Sequence, residues 1–87
     1  MEQDSSHRER QDVEAIERLC DGDSSAIGEL YDRYGATAFG LALKIVRDEV
    51  EAEDVVHDAF VAISRRADQY STLRGTVAAW LITTVKN

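Results

Sequence analysis

The sequence contains no proline, and a single cysteine, Cys20, among its 87 residues. Five residues are glycine and 7% are aromatic. Each scarcity removes a class of protein. The many turns of an all-β sandwich draw on Gly and Pro, so that architecture does not fit. One cysteine forms neither an internal disulfide nor a cysteine metal site. No signal-peptide pattern opens the chain, so a reducing, cytoplasmic setting is expected. The longest apolar runs, such as Ala59 to Ile63, are far too short to span a bilayer. Signatures of catalysis are missing too: there is no Gly-rich phosphate loop, no nucleophile elbow and no His-Glu-x-x-His.

What is present suits one small globular domain. Apolar residues make up 44% of the chain and charged residues 31%. The net charge is −7, which taken whole argues against nucleic acid. The distribution is uneven, however. Residues 1–63 hold six Lys/Arg and sixteen Asp/Glu, whereas residues 64–87 hold Arg65, Arg66, Arg74 and Lys86 against Asp68 alone. Screening limits the reach of a charge to about 8 Å at physiological salt, so a local basic surface can bind phosphates on an acidic protein. Solvated arginines near helix ends would give the same asymmetry.

Helical periodicity runs along most of the chain. Residues 1–10 are polar without a period and read as a disordered tail ahead of a helical domain over 11–87. Val13, Ile16 and Leu19/Cys20 predict a short helix from about Gln11 to Cys20, with Cys20 on its inner face. Asp21-Gly22-Asp23 ends it and starts the next. Ala26, Ile27, Leu30, Tyr31, Tyr34, Ala38, Leu41, Ala42 and Ile45 form one broad stripe of a long second helix. Gly35 and Gly40 interrupt it, either as tolerated weak points or as places of close packing. Asp48 with Glu51 resembles a capping box for a third helix that buries Ala52, Val55, Val56, Ala59, Phe60 and Ile63. Asp68 to Gly75 is a loop by composition. Gly75 or Thr76 opens a last helix with Val77, Trp80, Leu81, Thr84 and Val85 inward. The pattern predicts a compact all-α bundle of about four helices. The chain stops at Asn87 with no capping signal, which suggests a piece of a longer protein.

Three constellations bear on function. Asp54, His57, Asp58, Val61 and Arg65 lie along the outward stripe of the third helix. They form either a solvated acidic face or a docking strip for a helical or basic partner. Asp54, His57 and Asp58 could in principle touch a metal, but a di-metal helical site wants Glu-x-x-His twice, and no metal or cofactor is expected here. The segment from Arg65 to Asn87 interleaves cations with Tyr70, Trp80 and small polar groups. Cations engage phosphates, and a ring stacks on an unpaired base for about 1–3 kcal/mol. Trp80 has the spacing of a core residue. Thr83, Lys86 and Asn87 share the opposite, outward face with Ala79.

Together, LYDRYG, EAEDVV-x-D-x-F and RG-x(4)-WL-x-T, in that order, make the run from Ala26 to Asn87 resemble the second conserved region of bacterial RNA polymerase sigma factors of the extracytoplasmic-function group. The resemblance implies a helical domain with no catalysis of its own. It implies docking of Asp54, His57, Asp58, Val61 and Arg65 on the clamp helices, a coiled coil of the largest core polymerase subunit. The family usually carries Gln where His57 stands. It further implies recognition and melting of the promoter −10 element. The loop from Asp68 to Arg74 would take an unstacked base of the non-template strand. Arg66, Tyr70, Ser71, Thr72 and Arg74, with Thr83, Lys86 and Asn87 of the last helix, would face the DNA. Many members are held inactive by an anti-sigma factor, and complete members carry a second domain that reads the −35 element. A helical adaptor or dimerisation module without DNA binding is the alternative that the acidic stripe alone supports.

Overall fold

The computed structural model describes residues 2–87, with side chains from Ser6 onward. Four helices follow one another: α1 (Glu2–Cys20), α2 (Ala26–Val46), α3 (Glu49–Arg65) and α4 (Val77–Lys86). Two short 3-10 turns, Ala67–Gln69 and Thr72–Arg74, fill the connection between α3 and α4. No strand occurs among the described residues. The all-α bundle is the architecture that the periodicity predicts.

Local chemistry sets several helix ends. Asp48 caps α3, its Oδ1 accepting from the N–H groups of Val50 at 2.8 Å and Glu51 at 3.1 Å. Thr76 caps α4 by accepting from Ala79 N–H at 3.0 Å. Gly22 supplies the left-handed exit from α1, with φ of +93°. Asp23 Oδ1 then accepts from Ser25 N–H at 3.1 Å and turns the chain into α2. The end of α2 carries no such signal. Arg47 closes it in the left-handed conformation with φ of 60°, its N–H bonded to Leu43.

The core forms where the stripes of all four helices meet. Leu30, Ile63, Leu81 and Val77 are its largest fully buried apolar side chains. α2 packs most extensively on α3. Ala38, Ala42 and Ala52 are wholly buried, and such small side chains let helix axes approach.

Three expectations need correction. The helix predicted from Gln11 reaches back to Glu2, so the stretch expected as a disordered tail is helical wherever it is described, Met1 lying outside the described residues. Glu9 and Asp12 fall at helical spacing on the face of Val13, Ile16 and Leu19, and both bond to the rest of the fold. Cys20 is exposed rather than inward, and Leu19 packs against the core in its place. Tyr31 and Ile45 belong to the α2 stripe by spacing yet are 53% and 55% exposed. Ile45 lies in the last turn of α2 and Tyr31 lines the open cleft between α2 and α3, so position on the stripe does not by itself bury either. The two glycines inside α2 also separate. A Cβ on Gly35 would meet the Tyr31 ring at 3.2 Å, whereas one on Gly40 would meet nothing within 4 Å.

Candidate functional site

The outward face of α3 divides between two grooves. Asp54, His57, Val61 and Arg65 line the first, a cleft of about 750 Å³ between α2 and α3. Its floor is apolar and includes Tyr31, Phe39 and Phe60. Tyr31 meets Phe60 edge-on, with ring centroids 5.1 Å apart, a favoured aromatic geometry. Asp54, His57 and Arg65 are exposed and Val61 is half-buried. Glu53 and the exposed Val50 extend the rim. The result is an apolar trough with an acidic end, set by the N-terminal half of α3, and a basic end at Arg65. The apolar floor was not legible from the α3 stripe, because α2 supplies much of it.

Asp58 falls on the other flank. It lines a smaller groove, of about 370 Å³, between α3 and α4 together with Arg66, Thr84 and Asn87. Five residues that read as one stripe are thus four in one groove and one in the next. Asp58 shares its groove with Arg66 and Asn87, two residues assigned by resemblance to DNA. Among the described residues, no group of three or more His, Cys, Asp or Glu side chains is placed to hold a metal ion.

The remaining candidates lie on the loop and on α4. Arg74, Thr72, Thr83, Lys86 and Asn87 are exposed, as a contact surface requires. Ser71 and Tyr70 are half-buried and already engaged. Ser71 Oγ accepts from Leu73 N–H at 3.2 Å and caps the second 3-10 turn. The Tyr70 hydroxyl donates to the Gly75 carbonyl at 2.7 Å and lies 3.4 Å from Glu9 Oε2. Burial, and then the Glu9 carboxylate, push its pKa above the ordinary tyrosine range. Its ring rests on Trp80 with centroids 5.3 Å apart. Trp80 itself is partly buried against the core, as its spacing predicts. This aromatic pair forms a support beneath the loop rather than a free stacking platform.

The loop is closed by its own bonds. Arg74 N–H donates to Ser71 O at 2.8 Å and Gly75 N–H to Thr72 O at 3.2 Å. Gly75 has φ of +101°, a conformation that favours glycine. At the tip, Leu73 is 96% exposed. Sequence reasoning passed over Leu73, although a leucine between Thr72 and Arg74 in a polar loop was a visible anomaly. The loop therefore presents an apolar side chain beside a cation on a tight, internally bonded turn.

Residues 30–87 match the family model described as sigma-70 region 2. Among curated proteins, the chain is similar to the ECF RNA polymerase sigma factor SigK of Mycobacterium tuberculosis (strain ATCC 25618 / H37Rv). The two are 29% identical over 73 residues, which is 83% of this chain and 39% of SigK. It is also similar to the ECF RNA polymerase sigma factor BldN of Streptomyces coelicolor, with 31% identity over 75 residues, 86% of this chain and 28% of BldN. The chain spans about two fifths or less of the length of these relatives.

Proposed function

The chain belongs to the sigma-70 region 2 family, and from that premise we propose that it is the part of a transcription-initiation sigma factor that joins core RNA polymerase to the promoter −10 element. On this reading it performs no reaction of its own and acts in the cytoplasm, where bacterial polymerase works. The trough between α2 and α3 takes the clamp helices of the largest polymerase subunit. Its apolar floor contributes burial, and its charged rim sets the partner's register and orientation. The loop and the outward face of α4 take the non-template strand. Arg74 and Lys86 engage phosphates, and Thr72, Thr83 and Asn87 offer hydrogen bonds to base edges. An unstacked base held against the loop offsets the cost of opening the duplex.

The observation that carries this reading is the division of labour on one small fold. An apolar, mostly acidic-rimmed trough lies between α2 and α3, and a second groove with Arg66, Thr84 and Asn87 lies on the other flank of α3, against α4. A partner helix can therefore occupy one while a nucleic-acid strand occupies the other. An anti-sigma factor, if the protein has one, would act by covering either.

Binding of the chain to purified clamp helices tests the first half, with D54R and D58R as controls. Asp54 lies in the trough and Asp58 outside it. D54R should abolish binding, and D58R should weaken it less. Absence of binding by the folded wild-type chain would leave the adaptor or dimerisation reading in its place.

A further inference from the structure

One carboxylate of α1 reaches the base of the DNA-facing loop. Glu9 lies outside residues 30–87, the segment that matches the family. Its Oε1 accepts from the backbone N–H of Val77 at 3.3 Å, and its Oε2 lies 3.4 Å from the Tyr70 hydroxyl. Val77 is the first residue of α4 and is fully buried. The first N–H groups of a helix have no partner within it. In α4, Thr76 satisfies the N–H of Ala79, and Glu9 satisfies that of Val77. Water does not substitute easily for a partner at a buried amide, so loss of Glu9 leaves Val77 N–H orphaned. A negative charge at this end of α4 also suits the helix dipole.

Tyr70 extends the link. Its hydroxyl has one proton, shared between the Gly75 carbonyl at 2.7 Å, the stronger bond, and Glu9 Oε2 at 3.4 Å, the weaker one. The bond to Gly75 joins the first and last residues of the segment 70–75, which carries Leu73 and Arg74 at its tip. Glu9 thus stands at the junction of the loop's closing tyrosine and the start of the helix that carries Thr83, Lys86 and Asn87.

We propose that Glu9 is a positioning residue for nucleic-acid recognition: from α1 it fixes the loop 70–75 and the N-terminus of α4 in one relative geometry, without touching DNA itself. The consequence for DNA rests on the proposed function, whereas the consequence for the loop does not. Polymerase docking uses a different groove and is left unchanged.

The test compares the wild-type chain with E9A, E9Q and Y70F. Affinity for a single-stranded −10 oligonucleotide is measured with each chain assembled on core polymerase, and affinity for core polymerase is measured separately. Amide hydrogen exchange is followed on the chain alone. E9A should lose about fivefold in oligonucleotide affinity, the scale of one hydrogen bond, at unchanged polymerase affinity. Exchange should quicken at Val77 and at Arg74 and Gly75. E9Q keeps an accepting oxygen and should stay within about twofold of wild type in affinity. Y70F should loosen the loop amides while Val77 stays protected. Three results would overturn the proposal: unchanged exchange at Val77 and Gly75 in E9A, equal losses in E9A and E9Q, or faster exchange spread over the whole fold. Failure of the wild-type assembly to bind the oligonucleotide would instead overturn the proposed function, and the exchange pattern would still decide the role of Glu9.

Discussion

The hydroxyl of Tyr34 in α2 donates to the carboxylate of Asp12 in α1, a charged side chain with no exposed surface. Its neighbour Arg33 donates to the other carboxylate oxygen. Adjacent residues on α2 thus grip the two oxygens of one buried acid. No buried side-chain polar atom among the described residues is left without a partner. Asp12 and Glu9 are three residues apart on α1, so one side of that helix ties it to α2 and, a turn earlier, to the loop and α4.

Removing the acid should cost more than removing one of its donors. D12A leaves the Tyr34 hydroxyl without its acceptor and Arg33 with only Glu29, 3.9 Å away and partly exposed, so the cost should fall at about 3 kcal/mol, the low end for a broken buried pair. Y34F keeps the Arg33–Asp12 pair and should cost about 1.5–3 kcal/mol, the scale of a hydrogen bond to a charged group. Urea unfolding of both variants against wild type measures the difference. Equal losses would mean that the pair with Arg33 contributes nothing.

Alkaline pH should weaken the fold through Tyr34 and Tyr70. Burial, and then the Asp12 carboxylate, raise the Tyr34 hydroxyl above the ordinary tyrosine range, and Tyr70 shifts the same way. An unfolded tyrosine ionises near pH 10, at about its ordinary value. The contribution to stability is therefore complete below about pH 10 and is lost as pH climbs toward the raised folded values. A pH series of thermal unfolding should show this decline, and Y34F should flatten it in part.

The two α2 glycines should respond differently to alanine. G40A adds a methyl group into open space on a helix and should stabilise by about 0.5–1 kcal/mol. G35A meets the Tyr31 ring at 3.2 Å, so it should gain less unless that exposed ring moves aside. Midpoints of denaturation for the two variants give the answer directly.

Truncating the cap of α3 should reach the trough. D48A removes the acceptor for Val50 and Glu51 N–H, at about 0.5–2 kcal/mol. Val50, Glu53 and Asp54 all lie within two turns of that end and line the trough. Amide exchange should rise at Val50 and Glu51, with the centre of α3 unaffected.

On α4, K86A should lower DNA affinity with little regard to sequence. Its signature is a salt-dependence slope smaller by about one, since one phosphate contact is lost. An unchanged slope would take Lys86 off the proposed DNA surface.

Much of the fold was legible in local pattern. Ala52, Val56, Ala59, Phe60 and Ile63 of α3 are all buried, because their spacing follows the helical repeat. Asp48, Gly22 and Thr76 announce helix ends through chemistry that acts within three residues. Asp12 was illegible for the opposite reason. It is one acid among many in the first half of the chain, and its partners Arg33 and Tyr34 lie 21 and 22 residues away. Glu9 reads as a tail residue until Val77, 68 positions on, is folded beside it.

The candidate site divides along the same line. The residue types, their helical stripe and the motif order that marks the family are properties of the one-dimensional string, since each depends on spacing within a helix or on identity alone. Which groove each side chain enters is not. Asp58 parts from Asp54, His57, Val61 and Arg65 because α2 and α4 flank α3 on different sides. Tyr70 becomes a support for the loop because Gly75, Trp80 and Glu9 converge on it. Sequence determines what a helix face offers. Only packing decides what stands opposite it, because that depends on contacts between residues the chain holds far apart.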